Sequence, residues 1–395
     1  MKKGSVKLLW GIAGLFSFWK AYILLTSLLA ITLLPFYPNF TAHVDFGDHL
    51  PYLIWIWGNF DGNHYMEIAR NGYHMTQYPF FPLFPILIHF IALFFSLPFL
   101  VASEYITNIA IIISIPCLWY LFRIDQPEKS PYLFFACLLC FPTAFFLQSV
   151  YNDSLMLFFA TMTLLATRRK QWILAGIFGF LGTLTRLNGL ALFFPVIIEY
   201  FVGDRPLAEQ WNPKIWFKSL KNLRIKSLIT SGILTSLLIP TAFICYLIYV
   251  NIYGGSWMRL FSAMTQWHQD KITLPLQVFW RYGKILLFQN QHQLVYWIAF
   301  LEISAVLLYL FLLWKFLKKI RLSYWIFVAT SLLIPAMTGT FQGMPRYALH
   351  LYPLFLMLYI FLLKQHTYIR YSILTLSVIL ESILIALFTR GYFVS

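Results

Sequence analysis

The sequence predicts an all-α integral membrane protein that crosses the bilayer many times, and three observations carry the prediction. Of 395 residues, 60% are apolar and only 11% charged, against about a quarter charged in an ordinary soluble domain. Apolar runs long enough to cross a hydrocarbon core of roughly 30 Å, which takes about 20 helical residues, recur from end to end. The runs are continuous, rich in Leu, Ile and Phe, and lack period-two polarity. That excludes the alternating strands of a membrane barrel and leaves helices as the backbone that lipid tolerates. The whole chain, 1–395, reads as a single polytopic membrane domain.

The basic residues order the crossings. The net charge of +15 falls in short clusters between apolar runs and not along one polar face, so it speaks for orientation in a membrane and against nucleic acid. The clusters are Lys2/Lys3/Lys7, Arg168 to Lys170, the six basic residues from Arg205 to Lys226, and Lys315 to Arg321. With all four in the cytoplasm, the runs 171–203, 227–314 and 322–363 each cross an even number of times. Five runs precede Arg168, namely 9–37, 79–98, 102–123, 131–148 and 152–167, and parity requires that one does not span. Run 79–98 is the expected exception, because Pro79, Pro82, Pro85 and Pro98 break it into a re-entrant or surface-lying segment.

About eleven crossings result. The first extracytoplasmic loop then covers 38–100 with interfacial or re-entrant helices, a basic cytoplasmic loop covers 204–226 with Trp211 and Trp216 on the bilayer surface, and a second large extracytoplasmic loop covers 251–292. The amino-terminal run has no small-residue cleavage site and reads as a retained first helix. Cys117, Cys137, Cys140 and Cys245 lie inside apolar runs, where a thiol behaves as a small hydrophobe.

This topology gathers the polar chemistry on the outer side. Asp45, Asp48, Asp61, Glu67, Asp153 and Asp270 all fall there, in a chain with fourteen acids, and charges in the middle of helices are expected to be nearly absent. From Pro51 to Arg70 the apolar spacing suits an amphipathic helix on the interface, loosened by Gly58 and Gly62 around Asp61. Asp61 either caps the helix starting near Gly62 or carries chemistry, and spacing alone leaves both open. Tyr78 to Pro85 is a rigid aromatic and proline segment that suits an interfacial belt.

Asn152 and Asp153 sit in a tight turn, with capping again the plain alternative. Arg186, in Thr185-Arg186-Leu187-Asn188-Gly189, lies at the outer end of a helical hairpin, and Arg346 opens a later helix. An arginine at that level asks for an anionic partner, from the protein or from a ligand. His43, His49, His64 and His74 lack the spacing of a metal motif. There is no glycine-rich phosphate loop and no nucleophile elbow.

Five of these segments, in this order, resemble the PIG-V family, whose eukaryotic members are the second mannosyltransferase of glycosylphosphatidylinositol anchor assembly. They are Phe60-Asp61-Gly62 with Tyr65, Ile68-Ala69 and Gly72-Tyr73; Phe80 to Pro85; Tyr151-Asn152-Asp153-Ser154-Leu155; Thr185 to Gly189; and Met344-Pro345-Arg346-Tyr347. The resemblance covers most of residues 55–200. Two departures stand out: Phe60 takes the place of the family's usual Trp and keeps the aromatic wall, and Asp153 replaces a common Glu, shortening that acid's reach.

The resemblance implies a GT-C type multi-helix bundle with an essential acid in its first outer loop and a polyprenyl-phosphate-linked sugar as donor. It thus implies a glycosyltransferase, with mannose the expected sugar and a lipid or glycan the acceptor, acting with inversion on the extracytoplasmic or lumenal face. The expected location is the cell inner membrane of a bacterium or the endoplasmic reticulum membrane of a eukaryote. Asp61 is then the catalytic base, and Arg186 and Arg346 hold the donor phosphate. Asp153, Asn152, Asn188, Tyr65, His64 and Tyr347 bind or orient sugar and acceptor. No cofactor is required by a monophosphate leaving group, although the carboxylates would accept a divalent metal. The rival from another class is a transporter or flippase of lipid-linked sugars, which would place ionisable groups near the bilayer midplane and often show inverted repeats.

Overall fold

The structure is a computed structural model and describes residues 3–38, 40–47, 49–216, 232–267 and 272–394. Among them every regular element is helical. Five helices are long and apolar enough to cross a membrane: Leu8–Leu33, Phe99–Asp125, Gly232–Gly254, Leu294–Lys315 and Thr367–Thr389. Shorter apolar helices cover Leu83–Phe94, Trp172–Thr185, Leu187–Val202, Leu322–Ala336 and Tyr352–Leu363. Asp48, Asp270 and the bases Lys218, Lys221, Arg224 and Lys226 lie outside the described residues.

The principal helices are α1 (Lys3–Leu33), α2 (Asp61–Asn71), α3 (Leu83–Phe94), α4 (Phe99–Asp125), α5 (Tyr132–Leu139), α6 (Asp153–Arg168), α7 (Trp172–Thr185), α8 (Phe193–Val202), α9 (Leu238–Gly254), α10 (Pro275–Phe288), α11 (Leu294–Lys315), α12 (Leu322–Ala336), α13 (Met344–Tyr347), α14 (Tyr352–Leu363) and α15 (Thr367–Thr389). The proline-broken run 79–98 yields α3, whose 12 residues extend about 18 Å, less than a hydrocarbon core. The run 131–148, expected to be one crossing, differs from that expectation. It holds only the eight residues of α5 and a 3-10 turn at Ala144–Leu147. Pro142 is the reason: it disfavours helix at Phe141 and cannot donate to the helical ladder.

The chain divides into two compact units. One contains Met1–Gly72, Phe84–Phe158 and Leu358–Ser395; the other contains Tyr73–Leu83 and Phe159–Met357. In the first, α1 is tied to α15 and α4 by polar side chains within apolar helices. Trp19 Nε1 donates to Glu381 Oε1 over 3.1 Å, and the Tyr22 hydroxyl donates to the Val378 carbonyl over 3.0 Å. Lys20 Nζ donates to Asn108 Oδ1 over 2.7 Å and to Gln148 Oε1. The near absence of charges inside helices is therefore corrected: Lys20, Glu104 and Glu381 stand in apolar helices of this unit, and Glu302 stands in α11 of the other. A polar group away from water is stable only with partners, and the long-range contacts of Lys20 and Glu381 supply them.

The first outer loop also departs from the expected interfacial helix. Tyr52–Trp55 is helical and Ile56–Gly58 is a 3-10 turn, with Trp55, Ile56 and Trp57 buried. Trp57 packs on Phe388, which also gathers Phe60, Phe145, Phe146 and Tyr151 around itself at ring separations of 5.4 to 6.4 Å, whereas Trp55 packs on Phe36, His43 and Tyr52. Burial of such side chains contributes about 2 kcal/mol each, enough to draw the loop inward.

In the second unit, α7 and α8 form the expected hairpin around a 3-10 segment, Leu187–Leu192. Trp211 donates through Nε1 to the Ile320 carbonyl over 3.2 Å, and its ring packs on Trp325 at 5.6 Å. This part of the 204–226 loop is thus fastened to the protein.

The Lys20 contacts generate a stability prediction. Replacing Lys20 by Ala removes the cation between two amide oxygens and leaves the neighbouring Glu104 carboxylate without it. The expected cost is about 3 kcal/mol, read as a lowered unfolding free energy of the purified protein in detergent. A cost below about 0.5 kcal/mol would place the ammonium in a water-exposed, weakly coupled position.

Candidate active site

In the first unit the backbone before Asp61 is the unusual feature. Phe60 has φ +58° and ψ −115°, a region that side-chain-bearing residues occupy only under constraint, at about 1–3 kcal/mol. The constraint is visible. The Phe60 N–H donates to the Phe40 carbonyl over 2.9 Å, and its ring is wedged between Phe388 at 5.7 Å and Phe393 at 5.4 Å.

Asp61 follows as the first residue of α2, with Phe60 in the cap position and no side-chain cap bond. Asp61 is therefore not the N-cap that its composition allowed, although an acid in the first turn still favours the helix dipole. The Asp61 residue is half-buried.

The Tyr151 hydroxyl connects two of the motifs. It accepts from the Asp61 N–H at 3.3 Å and donates to the Asn59 carbonyl at 3.1 Å. Next to it, the Val150 N–H donates to the Trp57 carbonyl over 2.9 Å. The Asp61 elbow and the Tyr151-Asn152-Asp153 turn are thus zipped together, far apart though they are in sequence. Asn152 and Asp153 are buried at 2% and 1% exposure, and Asp153 opens α6. Tyr65 is buried with its ring edge-on to Phe84 at 5.1 Å, and His64 packs beside Phe40 at 5.8 Å. Burial lowers the His64 pKa, and the carboxylates of Asp61 and then Glu67 oppose that shift.

In the second unit the two arginines come together. The Arg186 guanidinium lies 4.4 Å from the centre of the Tyr347 ring, and that of Arg346 lies 5.7 Å from the same centre. All three residues are half-buried. The ring's negative faces draw the cations to one place, at roughly 0.5–2 kcal/mol each, where they repel one another. Such a pair is suited to an anion that accepts from both.

Local structure explains how each arginine is presented. Helix α7 stops at Thr185, Arg186 is extended, and the Gly189 N–H turns back to the Arg186 carbonyl over 2.8 Å. A Cβ at Gly189 would lie 2.4 Å from the Thr183 nitrogen, so only glycine closes this turn. Asn188 is buried and its Nδ2 donates to the Ser331 carbonyl over 3.2 Å. One N–H of that amide braces the segment against α12.

Arg346 depends on a carboxylate that the motif search did not select. The Gly343 N–H donates to Glu302 Oε1 at 3.2 Å, and the Tyr282 hydroxyl donates to Glu302 Oε2 at 2.5 Å. The same hydroxyl accepts from the Phe341 N–H at 3.1 Å, and Arg281 Nη1 donates to the Gly339 carbonyl over 3.1 Å. Helices α10 and α11 thus clamp the turn 339–343. Gly343, at φ +76°, then leads directly into α13 with Pro345 in its first turn. A lone acid inside a 22-residue apolar helix was a signal available in the sequence.

His350 is the other residue the motifs missed. It is 1% exposed, and neither ring nitrogen has a hydrogen-bond partner in the structure. Burial, with Arg186 adding to it, lowers its pKa to about 3, so the imidazole stays neutral beside the arginine pair. Among the described residues, no group of three or more His, Cys, Asp or Glu side chains comes together to hold a metal ion.

Two predictions follow from this geometry. Glu302→Ala removes both acceptors from the clamp and should cost about 3 kcal/mol of stability. Glu302→Gln, which keeps one acceptor, should cost clearly less, as measured by unfolding in detergent. Equal losses would mean that the charge, not the clamp, matters.

For His350 the folded pKa lies below the unfolded one, so its contribution is fully present above about pH 6.5 and is lost as pH falls toward 3. The wild type should lose up to about 1.4 kcal/mol of stability per pH unit from this group between pH 6 and 4. His350→Phe should flatten that difference in unfolding temperature. Parallel pH curves for the two proteins would remove His350 from the account.

No protein-family model and no curated protein matches the chain. Among solved structures, the chain is similar to the oligosaccharyltransferase of Archaeoglobus fulgidus in its apo form, with 13% identity and a TM-score of 0.40 over 95% of this chain and 56% of that one. It is similar also to the archaeal oligosaccharyltransferase AglB from Archaeoglobus fulgidus in complex with an inhibitory peptide and a dolichol-phosphate, with 13% identity and a TM-score of 0.39 over 96% and 56%. A third is the Archaeoglobus fulgidus oligosaccharyltransferase in complex with Zn and sulfate, at 14% identity and a TM-score of 0.39 over 95% and 53%. The chain spans little more than half the length of the solved proteins it resembles.

Proposed function

We propose that the chain is a membrane glycosyltransferase of GT-C type. It transfers a sugar, with mannose the expected one, from a polyprenyl-phosphate-linked donor to a lipid or glycan acceptor on the extracytoplasmic or lumenal face. The single observation that carries this reading is the gathering of Arg186 and Arg346 over one tyrosine ring. Two like charges held half-buried beside each other form a receptor for a dianionic group such as a phosphate monoester leaving group. The order of five motifs supports it, as does the bonding of the Asp61 elbow to Tyr151.

In the proposed reaction the acceptor hydroxyl oxygen attacks the anomeric carbon and its proton passes to the Asp61 carboxylate. The bond between that carbon and the donor phosphate oxygen breaks, the electron pair departs with the polyprenyl phosphate, and the two guanidinium groups stabilise the growing negative charge. One displacement inverts the anomeric centre. Tyr65, His64, Asn152, Asp153 and Tyr347 shape the sugar and acceptor positions.

The transporter or flippase reading draws on a different observation, the ionisable residues Lys20, Glu104, Glu302 and Glu381 within apolar helices. The close contacts of Lys20, Glu302 and Glu381 within the protein suit structural ties better than a path for solute.

Purified protein supplied with polyprenyl-phosphate mannose and a panel of lipid and glycan acceptors tests the reading. Asp61→Asn should fold and lose at least about 100-fold in turnover, and Arg186→Gln or Arg346→Gln should lose about 100-fold or more. Normal turnover in the Asp61 variant would sink the assignment of the base. Reconstituted vesicles that move the donor across the bilayer without any transfer would favour the rival.

A further inference from the structure

The second unit carries another charged centre, at the opposite end of α7 from Arg186. Helix α7 begins at Trp172 and has 14 residues, a length of about 21 Å. At its Trp172 end lies a cavity of about 550 Å³ lined by Arg168, Lys170, Arg205 and Arg321 together with Glu199 and Asp204. That volume is in the range of small-ligand sites, and four cationic side chains face two carboxylates.

The cavity has a fixed floor and an adjustable rim. On the floor, Arg321 grips Glu199 with two bonds, Nε to Oε1 at 2.7 Å and Nη2 to Oε2 at 2.6 Å, and donates through Nη2 to the Gly203 carbonyl at 2.5 Å. Ser323 donates to the same carboxylate, and Arg168 approaches it at 3.9 Å. The three charged side chains are only 6% to 18% exposed, so one carboxylate is shared by two guanidinium groups where water screens poorly. On the rim, Lys170 pairs with Asp204 at 2.7 Å and Arg205 with Glu209 at 4.0 Å. These side chains are 45% to 76% exposed, and such pairs hold weakly enough to exchange partners.

We infer that this cavity binds a phosphate-bearing anion, held by the floor guanidinium groups and closed over by Lys170 and Arg205. A phosphate offers several acceptor oxygens to converging arginines and a lysine, in a cavity whose lining carries four cationic side chains and two carboxylates. The phosphate belongs either to the headgroup of an anionic lipid, which the expected cytoplasmic orientation of this end would supply, or to a soluble phosphate.

The test uses the full chain in nanodiscs of phosphatidylcholine, with either phosphatidylglycerol in the bilayer or inorganic phosphate in the buffer, and reads the unfolding temperature. Wild type should be stabilised by at least one of the two: a rise with phosphatidylglycerol alone identifies a lipid headgroup, and a rise with phosphate a soluble ligand. The double variant Lys170→Gln/Arg205→Gln, which leaves the floor intact, should unfold as the wild type does in pure phosphatidylcholine and bind the anion at least about tenfold more weakly.

Native mass spectrometry of the wild type released from mixed nanodiscs should count retained phosphatidylglycerol in excess over phosphatidylcholine if the lipid is the ligand. No stabilisation by either anion with no retained phosphatidylglycerol, or equal anion binding by the double variant, would overturn the site.

Discussion

The constraint on which the rest depends is that an apolar environment gives a charge no solvent to fall back on. An ionisable group that is to keep its charge inside this chain must find its partners in the chain itself, and one without them, such as His350, stays neutral. Glu199 recruits Arg321 and Ser323, Glu302 recruits Tyr282 and the Gly343 amide, Glu381 recruits Trp19, and Lys20 recruits Asn108 and Gln148. Every one of these contacts joins segments at least twenty residues apart. Apolar packing brings helices together with little directional preference, and these few polar contacts select which helix meets which. In water the same pairs would contribute a fraction of this, because hydration competes for both partners.

The same rule links the scaffold to the site. Glu302 stands in α11, more than forty residues before Arg346, and holds the turn from which Arg346 emerges. Gln148, bound by Lys20, stands four residues before Asn152 in the turn that Tyr151 fastens to the Asp61 elbow. A side chain that presents an arginine or an acid within a fraction of an ångström needs such bracing, since reactivity falls steeply with misplacement. The polar contacts inside the helices are thus the supports of the candidate-site residues as well as the ties of the fold.

Of the roughly eleven expected crossings, five helices among the described residues are long and apolar enough to span, and these were legible because a run of twenty apolar residues has one stable form in lipid. The segment 131–148 was not read correctly, since Pro142 outweighed its hydropathy. The inward packing of Trp57 was hidden too, because it depends on Phe388 more than three hundred residues away. The candidate site divides the same way. Asp61, Arg186 and Arg346 stood out through local motifs and through charge where charge is rare. Tyr151's hydroxyl bridge, the Glu302 clamp and the burial of His350 arise from pairings that no local window contains. Glu302 did leave a trace, a single acid in an apolar run, and that trace pointed to a tie rather than to chemistry.

The two candidate-site acids, Asp61 and Asp153, can be told apart by the access their surroundings allow. A general base must touch the hydroxyl that it deprotonates, and Asp153, at 1% exposure in the first turn of α6, has no surface to offer an incoming acceptor. Asp61 is half-buried and follows a residue forced to φ +58°, a strain that the surrounding aromatic cluster holds in place and that relaxed loop structure would not retain. Strain of that kind persists where a backbone must aim a particular side chain. Burial on one side and strained presentation on the other therefore support the proposed reactive role of Asp61 and the proposed shaping role of Asp153.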